Sequence, residues 1–318
     1  MIKDLCFEII ETCPNNCMFC SSVSSMCKTR IIEYDIFEKT VLYLQEKFGI
    51  KELSLSGGEP FLHPDVLKMI SLCSSLGIRT VLFTSGVTKQ NLHGNIYGTE
   101  SKRFNNTDFS SISRDVLKKC KELGLSKIVF DFQATEEDDY NKLMGTTNYF
   151  AFVLKSMCDA KFEGLDVDVH FIPNKINYKS LPDLLECLDI IEIPQVSLLN
   201  FVPQGRGKQN ASELSLSIEE MSEFIKIYKN CLGKYNVDVR VGIPLDSNNM
   251  HRCTAGMGKF DIKFDGTVLP CPAFKETKLS ELCNYGVKDI NIYRNINELT
   301  IYEGTRREPL CKKIYGIK

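Results

Sequence analysis

Cys13-Pro14-Asn15-Asn16-Cys17-Met18-Phe19-Cys20 is a C-x3-C-x2-C loop that follows an apolar run, Leu5–Glu11, readable as a first strand. Three thiolates in such a loop can fold around one face of an iron–sulfur cube. A [4Fe–4S] cluster normally takes four cysteines, so three leave one iron open to a small molecule. Cys17 and Cys20 alone form a C-x-x-C, which also fits a dithiol pair or half of a zinc site. A dithiol pair leaves Cys13 without a role. A zinc knuckle needs two further ligands at close spacing, and His63, His93, His170 and His251 are scattered.

One βα unit later stands a second motif, Ser56-Gly57-Gly58-Glu59-Pro60, after the apolar strand Glu52–Leu55. Paired glycines at the carboxyl end of a strand let backbone approach a ligand closely. Glu59 adds an acceptor for an ammonium group. The two motifs in this order, with an aromatic just before the third cysteine, resemble the radical S-adenosylmethionine (radical SAM) superfamily. That resemblance implies a [4Fe–4S] cluster on Cys13, Cys17 and Cys20 whose open iron chelates S-adenosylmethionine. It also implies that Gly57, Gly58, Glu59 and Pro60 meet the methionine amino group.

The chain has 318 residues, 43% hydrophobic, enough for one large and one small domain. A net charge of −2, with basic and acidic residues interspersed, argues against nucleic acid as a partner. No apolar run reaches the roughly 20 residues of a membrane span, and Met1-Ile2-Lys3-Asp4 carries no signal-peptide pattern. Fourteen cysteines without an export signal read as reduced thiols and metal ligands, which places the protein in the cytoplasm.

Strand-like and helical runs alternate, which implies an α/β fold with a parallel sheet. Strands are expected at Leu5–Glu11, Glu52–Ser56, Arg79–Thr84, Lys127–Phe132, Asp166–Ile172 and Gln195–Phe201. Helices are expected near Asp35–Phe48, Pro64–Leu76, Ser113–Leu123, Thr147–Phe162 and Ser180–Leu188. Asp35 and Ser113 can N-cap their helices, and Gly77 and Gly124 can end theirs. Six such units fit a partial (β/α)6 TIM-like barrel, the fold the resemblance implies, with its site at the carboxyl ends of the strands. Asn-rich 86–111 is too long for an ordinary connection and reads as a flexible insertion, with a substrate lid the other choice. The expected division is 1–208 for the barrel, 209–250 for a bridging helix and strand, and 251–318 for a small second domain.

In that tail, Asp265-Gly266 between alternating apolar residues signals a hairpin, which returns Cys271 toward Cys253. The run Cys253, Gly266, Cys271 resembles the opening of the SPASM and Twitch auxiliary-cluster domains of radical SAM enzymes. The tail has only Cys283 and Cys311 beyond it, which favours the shorter Twitch form with one auxiliary [4Fe–4S] cluster. Cys311 is the expected third ligand, Cys283 the other choice, and a zinc-stabilised hairpin the plainer reading.

By the same resemblance, Phe19 packs near the adenine, and Thr84 and Ser85 touch the cofactor. Asp131, Gln133 and Asn174 lie near the ribose, and Arg206 offers a donor fork to the methionine carboxylate. His170 is expected as a core histidine. The implied activity is reductive cleavage of S-adenosylmethionine to a 5′-deoxyadenosyl radical that abstracts a substrate hydrogen. The expected reaction is oxidative crosslinking or thioether formation in a peptide. Small-molecule dehydrogenation, peptide epimerisation and a non-catalytic electron-transfer role are the alternatives. Expected partners are a peptide or small-molecule substrate, a one-electron donor such as flavodoxin or ferredoxin, and a separate leader-binding protein, since the chain starts directly at the barrel.

Overall fold

The computed structural model describes residues 1–89, 109–242, 253–302, 304, 306 and 308–315. In chain order the barrel part comprises β1 (Asp4–Ile10), α1 (Tyr34–Phe48), β2 (Glu52–Gly57), α2 (Val66–Ser75), β3 (Arg79–Thr84), β4 (Val87–Lys89), β5 (Phe109–Ser111), α3 (Arg114–Glu122), β6 (Lys127–Asp131), α4 (Glu137–Met144), α5 (Phe150–Phe162), β7 (Val167–Phe171), α6 (Leu181–Ile190) and β8 (Gln195–Leu198). Then come α7 (Arg206–Gln209), α8 (Ala211–Leu214), α9 (Ile218–Cys231), β9 (Asp238–Val241), β10 (Lys259–Ile262), β11 (Thr267–Leu269), α10 (Leu279–Cys283), β12 (Ile290–Asn291) and α11 (Leu310–Tyr315).

The six expected strands lie side by side and parallel, in the order β1-β2-β3-β6-β7-β8. The sheet does not stop there. β9 extends it in parallel beyond β8, and β10 pairs in parallel with β1, followed by antiparallel β11 and β12. The strands expected in the bridge and the tail therefore share one sheet with the barrel.

Side chains alternate across β1 with period two. Leu5, Phe7 and Ile9 are fully buried on the helix side, where the Phe7 ring lies 5.0 Å from Phe37 of α1. Cys6 and Glu8 occupy the opposite face. There Lys275, from the segment after β11, reaches Glu8 at 2.7 Å, and the Ser22 hydroxyl donates to the same oxygen at 2.5 Å. This buried ion pair ties the tail to the barrel wall. The register of β1 against β2 slips between Glu8 and Ile10, a bulge where both strands run into their motif loops.

Local signals account for several helix ends. The Ser113 hydroxyl accepts from the Val116 amide, and Gly77 and Gly124 take positive φ just past α2 and α3. Asp35 is not the cap of α1, because the helix begins one residue earlier and Asp35 lies inside its first turn. The Asp265-Gly266 hairpin forms, with Gly266 at φ 81°. The expected insertion at 86–111 begins and ends as paired strands β4 and β5, and residues 90–108 lie outside the described residues. Helix α4 has no counterpart among the expected elements. Three acidic residues in its first turn (Glu137, Asp138, Asp139) favour the positive end of the helix dipole, and left-handed Gly145 ends it.

Candidate active site

The two motif loops are joined through their backbones. The amide of Gly58 donates to the carbonyl of Ile10 at 2.6 Å, and that of Glu59 to Thr12 at 2.8 Å. The glycines exist for this contact. A Cβ on Gly57 would stand 2.2 Å from the Ile10 oxygen, and one on Gly58 2.1 Å from the Thr12 oxygen. Gly57 also sits at φ 131°, a conformation side chains rarely adopt. The close approach that the paired glycines imply is thus to the strand leading into the cysteines.

The Glu59 carboxylate is fully buried and already saturated. It accepts from the Thr84 hydroxyl at 2.8 Å, the Ser85 amide at 2.7 Å, the Ser85 hydroxyl at 2.6 Å and the Phe61 amide at 3.1 Å. Burial pushes its carboxyl above the ordinary range even against those four donors. Glu59, Thr84 and Ser85 therefore form one anchor that fixes the loop. In this arrangement the Glu59 carboxylate is spent on holding the loop.

The cysteine loop is gripped from two further sides. At the end of α4 the carbonyls of Met144 and Leu143 accept from the amides of Asn16 at 3.0 Å and Met18 at 2.8 Å. From α7, Arg206 donates Nε to the Cys17 carbonyl at 2.8 Å and Nη1 to the Ser24 carbonyl at 2.9 Å, while Asn210 reaches the Met18 carbonyl at 3.0 Å. Two arms of the Arg206 fork are thus committed to the loop. Gly205 fits against Cys20 and Ser21, whose carbonyls would lie 2.6 Å from an added Cβ.

Cys13 and Cys17 are buried and Cys20 is half-buried. Burial pushes the thiols of Cys13 and Cys17 well above their ordinary value. The nearby charges they feel include Glu59 at Cys13, Asp131 at Cys17, and their fellow loop cysteines. Such thiols deprotonate when a cation takes the place of their protons. Among the described residues no three His, Cys, Asp or Glu side chains converge as ligands of one metal ion would. Three cysteine thiols on one loop suit a [4Fe–4S] cluster whose fourth iron has no protein ligand. Buried polar atoms without a hydrogen-bond partner among the described residues include both ends of the Asn15 amide, within the loop, and the Tyr140 hydroxyl.

The remaining expected residues divide. Phe19 is buried in the core beside the loop. Asp131 ends β6, and burial pushes its carboxyl up to about 6 against a hydrogen bond from Gln133. The Gln133 side chain also bridges to the His170 carbonyl at 3.0 Å and the Ile172 amide at 2.9 Å. Asn174 turns back onto its own loop, donating to the Ile172 carbonyl at 2.9 Å and accepting from the Ile176 amide at 3.0 Å. Gln133 and Asn174 thus both make side-chain hydrogen bonds to the backbone around Ile172. The His170 ring lies 5.0 Å from that of Phe83, tilted against it.

In the tail, Cys253, Cys271 and Cys311 share one apolar cluster with Leu269, Phe274 and Leu310. Burial pushes the Cys271 thiol up to about 11, and Cys311 is among the charges it feels. Cys283 is exposed and outside that cluster. The Arg306 amide holds the Cys253 carbonyl at 2.8 Å, bringing the chain end back beside the hairpin. Among the remaining thiols, Cys73 and Cys120 are buried, whereas Cys27 and Cys158 are exposed.

The sequence profile of the Radical SAM superfamily matches residues 7–188. A PqqA peptide cyclase from Bradyrhizobium diazoefficiens is 22% identical over 273 residues, 84% of this chain and 65% of that protein. A Methanocaldococcus jannaschii protein named "Probable GTP 3′,8-cyclase" is 26% identical over 291 residues, 85% of each. Among solved structures, Streptococcus suis SuiB bound to S-adenosylmethionine superposes with a TM-score of 0.67 at 16% identity, covering 92% of this chain and 64% of SuiB. The chain spans less than two thirds of the length of the Bradyrhizobium protein and of SuiB.

Proposed function

Because this chain belongs to the radical SAM superfamily, we propose that it modifies a peptide oxidatively, forming a crosslink or thioether. The observation that carries this reading is the gathering of Cys253, Cys271 and Cys311 in one apolar cluster, beside a barrel whose own cysteine loop is held from three sides. When bound, a first cluster and S-adenosylmethionine supply a radical able to remove a substrate hydrogen, and a second cluster supplies an acceptor for the electron left behind. Cys13, Cys17 and Cys20 hold the first, and Cys253, Cys271 and Cys311 the second. The backbone of Gly57–Pro60 receives the methionine end, Phe19 lies toward the adenine and Asp131 toward the ribose. Glu59, Thr84, Ser85, Gln133, Asn174 and Arg206 keep that surface in shape.

The peptide class is supported by the PqqA peptide cyclase likeness and by SuiB, which has also been solved bound to its precursor peptide SuiA. A one-electron donor of the flavodoxin or ferredoxin kind and a separate leader-binding protein belong to the same proposal. The likeness to a GTP 3′,8-cyclase favours a second reading, a small-molecule substrate. Mass spectrometry of anaerobic reactions in deuterated water separates them. Loss of two hydrogens from a short peptide encoded beside the gene supports the peptide reading. Conversion of GTP with all such peptides untouched supports the second, and one solvent deuterium at unchanged composition supports an epimerase.

A further inference from the structure

Tyr140 stands inside α4, on the helix whose last carbonyls hold the cysteine loop. Its ring is fully buried, set edge-on to Phe150 at 5.5 Å and tilted against Phe132 at 5.9 Å. Two aromatic contacts leave the phenol little freedom of aim. Its oxygen has no hydrogen-bond partner among the described residues. Leaving a buried hydroxyl unpaired is unfavourable, so this one points to a group that completes the site.

The neighbours say what kind of group. Tyr140 stands one helical turn before Leu143 and Met144, whose carbonyls hold the cysteine loop, and the ionisable groups around its phenol are Cys17, Asp131, Cys13 and Glu59. Tyr140 is therefore a donor facing acceptors.

We propose that the Tyr140 hydroxyl donates a hydrogen bond to the cluster held by Cys13, Cys17 and Cys20 and eases its reduction. This rests on the assignment of those three cysteines. A donor aimed at cluster sulfur stabilises the more negative, reduced state, and hydrogen bonds to sulfur are among the levers that set such potentials. Tyr140 is a positioning residue here, acting on the cluster without touching substrate.

The test is Tyr140→Phe in the full chain, which removes one oxygen and leaves the ring stacking intact. The signal to follow is the reduced-iron electron paramagnetic resonance that changes when S-adenosylmethionine is added. At the wild-type midpoint potential, the variant's ratio of reduced to oxidised cluster should fall about tenfold, a shift of about 59 mV for one electron. Iron content should match wild type, and the iron-free variant should melt no lower than the iron-free wild type. Tyr149→Phe, whose phenol also feels Cys13, should leave the ratio unchanged. An unchanged ratio in Tyr140→Phe, an equal shift in Tyr149→Phe, lost iron, or a lowered melting point of the iron-free variant would each overturn the proposal. If wild type itself gives no signal responsive to S-adenosylmethionine, the three-cysteine assignment has failed instead.

Discussion

The amide of Glu59 donates to the carbonyl of Thr12 at 2.8 Å, so the residue after the paired glycines is bonded to the residue before the first cysteine. Two motifs nearly fifty residues apart are thereby one backbone surface.

Gly58 should tolerate no side chain, because the Thr12 oxygen stands 2.1 Å from an added Cβ and is itself backbone. Gly58→Ala should cost on the order of 2–4 kcal/mol in chemical denaturation. Gly164→Ala, with positive φ but nothing within 4 Å, should cost about 1 kcal/mol. Equal losses would mean that the junction can spread.

Arg206→Lys keeps the charge but cannot span the carbonyls of Cys17 and Ser24 as the guanidinium does. Reconstituted iron should fall, with the affinity of any remaining holoprotein for S-adenosylmethionine near wild type. Full iron with cofactor binding weakened tenfold would return Arg206 to the carboxylate.

His170 gives the iron-free chain a pH dependence. Burial, then Arg240, Lys127 and Lys259, push its imidazole down to about 3 from the ordinary 6.5. Between those values the unfolded chain binds the extra proton, so this contribution to stability is complete above pH 6.5 and is lost as pH falls toward 3. Urea denaturation at pH 7 and pH 5 should show a smaller drop for His170→Gln than for wild type. Identical drops would mean that the ring titrates normally.

The tail makes a sharper distinction than the sequence allowed. Two [4Fe–4S] clusters imply about eight irons per chain. Cys311→Ala should lose about half and Cys283→Ala none, because Cys283 is exposed outside the cluster that Cys253, Cys271 and Cys311 share. The reverse pattern would reassign the third ligand.

The strands, the Asp265-Gly266 hairpin and both motif loops were legible because each is written locally, in period-two alternation, turn residues or ligand spacing. What was not legible is how side chains are committed. Glu59 could be read as an acceptor, but that its four hydrogen bonds come from Thr84, Ser85 and Phe61 depends on β2 and β3 lying side by side. Arg206 lies nearly two hundred residues from Cys17, and no local pattern announces that contact. Helix α4 was readable in principle from its acidic first turn and Gly145, and with it Tyr140 would have drawn notice. β9 and β10 joining the barrel sheet is a matter of register between distant segments, which periodicity does not record.

The most direct test is the anaerobic yield of 5′-deoxyadenosine from the reduced, iron-loaded protein. Wild type should release 5′-deoxyadenosine and methionine together. The variant with Cys13, Cys17 and Cys20 all changed to alanine should release neither while keeping about half the iron. A triple variant that still forms 5′-deoxyadenosine would contradict the account.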